Sequence, residues 1–554
     1  MFSGWDWAVF SVFLTASLSI GWVAGLVQRR NIKKGEEDAE FLMGGRSRRR
    51  VPDGGTIVEP CSCGHVYLSR CHVHQYGPRN IPMFFPHRAG NPAEMYSHGT
   101  QLWLNLIGLS LGFVYVHKVV LRVLYPLKIT SVYTYIEKRF QSRFLTSFAI
   151  ITTMIGTFFY MGLVSYSPSL AMETVTGFPT WGSIIILGLI CTLYSSWGGV
   201  RAVVYTDILQ TFVMFSGIIV IMVLATVEVG GLSEVWKIAE EHGRVEWWNI
   251  NPDPLQRHSV WTVTVQGYFT ALIVFGMGQP QVQRILSVNK WNKAIFAHYL
   301  DLVMLLALYS CCNYMGVAVF AVYADCDPMA TGDIDKPDEI LPYYVTDKLS
   351  GFYGLPGLFI AALYAGSLSS YSSQINAVSA VMWEGYFKNS SWVENMPPHR
   401  RPYVNILGGI VGFATSLLFN LWITLGATFF GHAPTLLPFS DEGCNSTTLQ
   451  PDSTFLTTIP TTLFPTTTTE VTPEDDYVFP LYLVSYTLYY LFGVSITFAV
   501  GAIVSLLYKP WSLEESGEAY IHPTFYKLQK WWETRNQHKD TTASTNNLVP
   551  MEKM

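Results

Sequence analysis

Charge is what this sequence has least of. Only 14% of its 554 residues are Asp, Glu, Lys or Arg, against roughly 25% in an ordinary soluble domain, and that deficit argues against a soluble enzyme. The 35 basic and 40 acidic residues nearly cancel, for a net charge of -5. Such a balance provides no basic field for nucleic acid and no acidic tail for a basic partner. Eight cysteines are too few for a disulfide scaffold. There is no Ser/His/Asp phrase, no His-Glu-x-x-His and no phosphate loop, so an integral-membrane enzyme is not expected either. No short cleavable signal precedes the first apolar run, which is read as an anchor that stays.

What the chain does have is apolar length: 50% of its residues are hydrophobic and 15% aromatic, with a mean hydropathy of +0.26. A hydrocarbon core of about 30 Å takes about 20 helical residues, because only a helix satisfies its own backbone groups in lipid. Ten such runs lie near 7-27, 101-123, 145-168, 181-197, 207-228, 262-281, 295-323, 356-387, 404-428 and 481-507. The chain is therefore read as an all-α integral membrane protein.

Basic residues close to span ends mark the cytoplasmic side. Lys128, Lys138, Arg139 and Arg143 follow the second run, Arg201 the fourth, Arg284, Lys290 and Lys293 the sixth, and Lys388, Arg400 and Arg401 the eighth. Opposite them, as outer loops, fall the Trp-rich 229-261 and the acidic 324-355. The loop 429-480 carries Asn445-Ser446-Thr447 and a Thr/Pro tract from Thr457 to Thr472, a composition that suits a glycosylated extracellular stalk. Cys326 and Cys444 both fall in outer loops and are candidates to pair.

This places the tail 509-554 in the cytoplasm and the N-terminus outside, and it exposes a parity problem. Arg29, Arg30, Lys33, Lys34 and Arg46 ask to be inside, while the run at 101-123 must start outside. Residues 47-91 would have to cross the membrane, yet they hold six arginines, four histidines, three cysteines and five prolines. One arginine at a bilayer centre costs about 2.5 to 3.5 kcal/mol on insertion scales. One helix is missing by this count. Cys61, Cys63, His65, Cys71, His72 and His74 are zinc-type ligands, but their spacing lacks the usual gap between ligand pairs. No metal beyond sodium is expected there.

Several phrases resemble the sodium/solute symporter family (solute carrier family 5), in its branch of multivitamin, monocarboxylate and iodide carriers. They are Phe41-Leu42-Met43-Gly44-Gly45-Arg46-Ser47, Asn91-Pro92-Ala93-Glu94-Met95-Tyr96, Trp197-Gly198-Gly199-Val200-Arg201-Ala202-Val203 with Thr206-Asp207 and Gln210, Gln279-Pro280-Gln281-Val282-Gln283-Arg284, and Gly354-Leu355-Pro356-Gly357-Leu358-Phe359. The most specific is Gly366-Ser367-Leu368-Ser369-Ser370-Tyr371-Ser372-Ser373-Gln374-Ile375-Asn376-Ala377. The resemblance implies a LeuT-like inverted-repeat transporter core with a broken first core helix and sites near the midplane. It also implies an incomplete one, with about ten of thirteen spans. The stretch 47-91 stands in place of the first core helix, and two more helices are lacking between 387 and 404. The resulting division is an anchor helix at 1-28, a cytoplasmic loop with the aberrant stretch at 29-99, a bundle at 100-428, an outer loop at 429-480, a last span at 481-508 and the tail.

In the run 356-387, serines at 367, 369, 370, 372 and 373 and Asn376 put oxygens on adjoining faces of one helix, a donor set that suits a hard cation such as sodium. The same small residues equally suit close helix packing or bonding back to their own helix. By resemblance, Ser369 and Ser370 match hydroxyl ligands and Gly366 a carbonyl ligand of the family's shared sodium site, with Ser373 and Asn376 candidates for lining a substrate or second ion. Asp207 reads either as an Arg-paired helix start or, by resemblance, as a sodium exit station. Asp301 is similar in kind. Tyr268 and Gln279, with Gln281 and Gln283, surround a break at Gly276, Gly278 and Pro280 that is able to line a cavity for a small solute.

The function this implies is symport of sodium with a small organic anion across the plasma membrane. Monocarboxylates rank first, vitamins such as biotin or pantothenate second and iodide third. The partners are sodium, the solute and the lipid bilayer, with no cofactor and no nucleic acid. The rival expectation is a transport-dead relative or a faulty gene model, because the second wall of the sodium site belongs to the missing helix.

Overall fold

The computed structural model describes residues 2–31, 90–129, 131–140, 143–253, 256–288, 290–334 and 337–382, with 439–440, 444 and several positions from 522 to 530. In chain order its helices are α1 (Gly4–Asn31), α2 (Asn91–His98), α3 (Thr100–Leu124), α4 (Val132–Phe140), α5 (Arg143–Thr176), α6 (Thr180–Val229), α7 (Leu232–Glu241), α8 (Val260–Met277), α9 (Gln279–Ser287), α10 (Trp291–Val322), α11 (Ile340–Lys348) and α12 (Leu355–Met382). Among the described residues there is no strand.

Seven of the expected runs coincide with helical stretches long and apolar enough to cross a membrane, supplied by α1, α3, α5, α8, α10 and two parts of α6. Phe148, Ile151 and Ile155 on α5 and Phe212, Ile219 and Val223 on α6 are exposed, as side chains facing lipid are. The eighth run forms α12, which is not in that apolar set. Its serines and Asn376 lower its hydropathy, and 23 of its 28 residues are instead buried among α1, α5 and α6. The runs at 404-428 and 481-507, the stretch 47–89 with its six zinc-type ligands from Cys61 to His74, and Asn445 lie outside the described residues.

Helical backbone continues through α6 for 50 residues, where the sequence suggests two spans around Gly198-Gly199. The contacts restore the division. Cys191 Sγ lies 3.6 Å from the carbonyl oxygen of Leu368, and Asp207 accepts a hydrogen bond from Ser369. Sixteen residues of straight helix cover about 24 Å, far more than two short side chains meeting adjacent residues can bridge. The helix therefore bends sharply between Cys191 and Asp207, and its two apolar stretches, Thr180–Trp197 and Val203–Val229, are separate spans.

Two close approaches fix the frame. Where α3 crosses α8, a β-carbon on Gly108 would stand 1.9 Å from the Thr264 carbonyl oxygen, and one on Gly267 2.2 Å from that of Asn105. Only hydrogen fits at either position. At the other side of the bundle, the Asp6 carboxylate of α1 accepts from the backbone N–H groups of Gly354 (2.9 Å) and Gly357 (3.2 Å), at the start of α12, where free donors and the helix dipole favour an anion.

The two segments read as outer loops meet over α2. Glu94 receives Arg257 Nε (2.7 Å) and Nη2 (3.0 Å) and lies 3.2 Å from His258 and 3.6 Å from His98. Tyr96 donates to Asp327, and Arg244 donates to the Ser97 carbonyl at 2.8 Å. Cys326 and Cys444 form a disulfide, and beside it the Asp327 N–H donates to the Ser440 carbonyl.

Candidate sodium station and substrate passage

The polar face of α12 converges with α6 and α9 on one buried carboxylate. Asp207 is fully buried, and because α6 is helical well before it, it is no helix start. Ser369 Oγ donates to its Oδ1 at 2.5 Å, and Arg284 Nη2 donates to its Oδ2 at 2.9 Å. The same guanidinium nitrogen donates to Ser373 Oγ at 2.6 Å, while Ser373 donates onward to the Ser369 carbonyl at 2.8 Å. A carboxylate, two hydroxyls and a main-chain carbonyl are thus linked in one hydrogen-bonded cluster. They are the hard oxygen donors that a small cation takes in place of water, and Arg284 now supplies the positive charge they require. Arg284 is 12% exposed and Asp207 not at all, so the guanidinium closes the cluster from its more open side.

Of the other serines, Ser372 donates to the Ser369 carbonyl (2.9 Å), and Asn376 donates to the Ser372 carbonyl (3.0 Å). These are the back-bonds that the small-residue reading anticipates. Ser370 is buried beside Ser369. Gly366 and Ser367 line a cavity of about 20 Å³ with Met214, Gly217, Ile218 and Phe359, one turn along α12 from Ser369 and Ser370. That is room for a single water-sized particle.

The break expected near Gly278 is present. A π-helical turn, Leu272–Met277, ends α8, Gly278 is extended, and α9 starts with Pro280 in its first turn. Gln279 reaches α4: its Oε1 accepts from the Val132 N–H at 3.0 Å. Gln281 donates to Asp301 on α10 at 3.0 Å. Tyr268 sits higher on α8, half-buried against the rings of Tyr115 and Phe269. The structure brings Asp207, Ser369 and Ser373 together and leaves Tyr268 and Gln279 in separate contacts.

Sequence reasoning treats Arg284 only as a marker of the cytoplasmic side. The signal that would single it out is its place at the end of the amide-rich Gln279–Arg284 phrase, on a helix too short to be a span. Asn313 of α10 is also missed. It is buried, its Oδ1 accepts from Asn91 Nδ2 at 3.1 Å, and its own Nδ2 has no acceptor among the described residues. Among those residues no group of three or more His, Cys, Asp and Glu is arranged to hold a metal.

Residues 86–391 match the model of the sodium:solute symporter family, a match that begins at the end of the Arg-, Cys- and Pro-rich stretch. The chain is 31% identical to sodium-coupled monocarboxylate transporter 1 of Xenopus laevis, over 91% of this chain and 86% of that protein. It is likewise 31% identical to the Homo sapiens protein of the same name, over 91% and 87%. The sodium/iodide cotransporter of Homo sapiens is 34% identical over 70% of this chain and 56% of its own length. Among solved structures, a Na+-coupled sialic acid symporter in a substrate-bound outward-open state superposes with a TM-score of 0.60 at 22% identity, covering 77% of this chain and 83% of that one. That likeness establishes the LeuT-like fold. These relatives are transporters and not enzymes, and the chain itself belongs to the sodium:solute symporter family.

Proposed function

We propose that this protein couples sodium entry to the uptake of a small organic anion across the plasma membrane, with its N-terminus outside and its C-terminal tail in the cytoplasm. The observation that carries the reading is the buried cluster of Asp207, Ser369 and Ser373 with Arg284 lodged in it. A sodium ion passing from Gly366, Ser369 and Ser370 toward the cytoplasm meets Asp207 next, and it leaves when Arg284 retakes the carboxylate. The neutralisation is an exchange of one cation for another, so the carboxylate never stands bare in a low-dielectric interior.

An anionic solute is supported by α2. There Asn313 Nδ2 is a buried donor beside Asn91 with no acceptor among the described residues. A carboxylate is a group that such a donor suits. Monocarboxylates rank first, in line with the names of the relatives, then biotin or pantothenate, then iodide.

The test is uptake of labelled lactate, biotin and iodide by cells expressing this chain, in sodium and in choline medium. Lactate uptake that needs sodium supports the reading. Normal delivery to the surface with no sodium-dependent uptake of any of the three solute classes would make the chain a transport-dead relative.

A further inference from the structure

We infer that Asp301 is a positioning residue for the inner sodium station, acting through Gln281 and the body of α9. This rests on the reading of Asp207 as that station. The helix α9 has nine residues, follows an extended glycine and has no side-chain cap at its start. A helix of that length has little stability of its own, so its orientation is set by what its side chains hold.

Three tethers among the described residues do so, each to a different part of the bundle. Gln279 accepts from the first turn of α4 (3.0 Å), Gln281 donates to the Asp301 carboxylate of α10 (3.0 Å), and Arg284 donates to Asp207 of α6 (2.9 Å) and Ser373 of α12 (2.6 Å). Gln281 and Arg284 are three residues apart, on neighbouring strips of the same helix face about 60° apart. A rotation of α9 that releases Gln281 from Asp301 therefore swings Arg284 as well. Asp301 itself is 1% exposed, and a hydrogen bond to a carboxylate is stronger than one to a neutral oxygen. It is the fixed end of the lever, and Arg284 is the working end.

The sign follows. With the Asp301 tether cut, Arg284 competes less well for Asp207, so sodium binds there at lower concentration. The effect is about fivefold, the factor that accompanies one lost net hydrogen bond.

The experiment uses the purified full-length chain and reads its melting temperature against sodium concentration. Asp301→Leu is expected to lower half-saturating sodium about fivefold. Asp301→Asn, which retains an acceptor for Gln281, returns most of that change. In an Arg284→Ala background Asp301→Leu has no further effect on half-saturation, a result that a merely structural role does not produce. Gln281→Leu repeats the measurement from the other side of the bond if Asp301→Leu fails to fold. A sodium shift that persists in Arg284→Ala, or Asp301→Asn as far from the parent as Asp301→Leu, overturns the inference.

The two readings fail separately. If the parent shows neither a sodium-induced shift nor sodium-dependent flux, the proposed function falls, and the melting temperatures of the four proteins in choline still decide the tether. Losses from Asp301→Leu and Arg284→Ala that fall short of additive support it, and additive losses overturn it.

Discussion

Asp207 illustrates how little freedom a buried carboxylate has. Removing one partner of a buried ion pair costs about 3 to 5 kcal/mol, because the remaining charge stays behind. Arg284→Ala is accordingly expected to lower the melting temperature in choline buffer, and sodium is expected to recover more of it than sodium adds to the parent protein. Ser369→Ala and Ser370→Ala remove oxygen donors, and together they are expected to raise half-saturating sodium for uptake about tenfold, near 1.4 kcal/mol. Glu94, packed against the segment read as an outer loop, makes a pH prediction. Burial works against its charge, but Arg257, His98 and His258 outweigh it and hold the carboxyl well below its ordinary value of 4.5. A depressed carboxylate stabilises the fold above its unfolded value and loses that contribution as pH falls toward the lowered one. Melting temperature should therefore drop below about pH 4.5 in the parent, and Glu94→Gln should flatten that limb at the cost of a lower plateau. At this scale the sequence exposed the serines of α12, because five serines between positions 367 and 373 of an apolar run are conspicuous. It concealed Arg284, because a basic residue just beyond a span reads as a head at the lipid surface and its partner lies 77 residues away.

Helices here are positioned by what is missing from them. At the crossing of α3 and α8, Gly108 and Gly267 admit a neighbouring backbone where a methyl group has no room. Gly108→Ala is expected to reduce folded yield and melting temperature sharply, whereas Gly156→Ala on α5, with nothing within 4 Å of the added carbon, is expected to be neutral. Paired melting curves decide this, and equal behaviour of the two variants would contradict the packing described. Apolar run length was enough to locate the seven apolar spans among the described residues, and Gly278 with Pro280 was enough to locate the break before α9, since neither depends on distant residues. The bend within α6 was only half legible. The glycine pair announces a turn, yet only the meeting of Cys191 and Asp207 with adjacent residues of α12 shows how sharp it is.

At the scale of the whole molecule, the polar contacts of the described residues gather around α2 and around α9, with apolar helix between them. The disulfide of Cys326 with Cys444 joins segments 118 residues apart at the α2 level. In intact cells an impermeant maleimide is expected to label neither cysteine until an impermeant reductant is added outside. Labelling that requires permeabilised cells would reverse the orientation proposed. Charge near span ends was sufficient to group the loops by face, while the pairing of two cysteines needed a distance that no sequence contains. The family's order of phrases made the inverted-repeat architecture readable. The stretch 47–89 and the runs beyond 382, on which completeness of the transport core turns, fall outside the described residues.

The most direct measurement places the purified full-length chain in sealed liposomes with labelled lactate and sodium outside and potassium inside. The account predicts that lactate rises transiently above its equilibrium level inside. The rise disappears when sodium is replaced by choline, and at sub-saturating sodium it shrinks when Ser369 and Ser370 are both changed to alanine. Lactate that settles at the same internal level with and without the sodium gradient would contradict it.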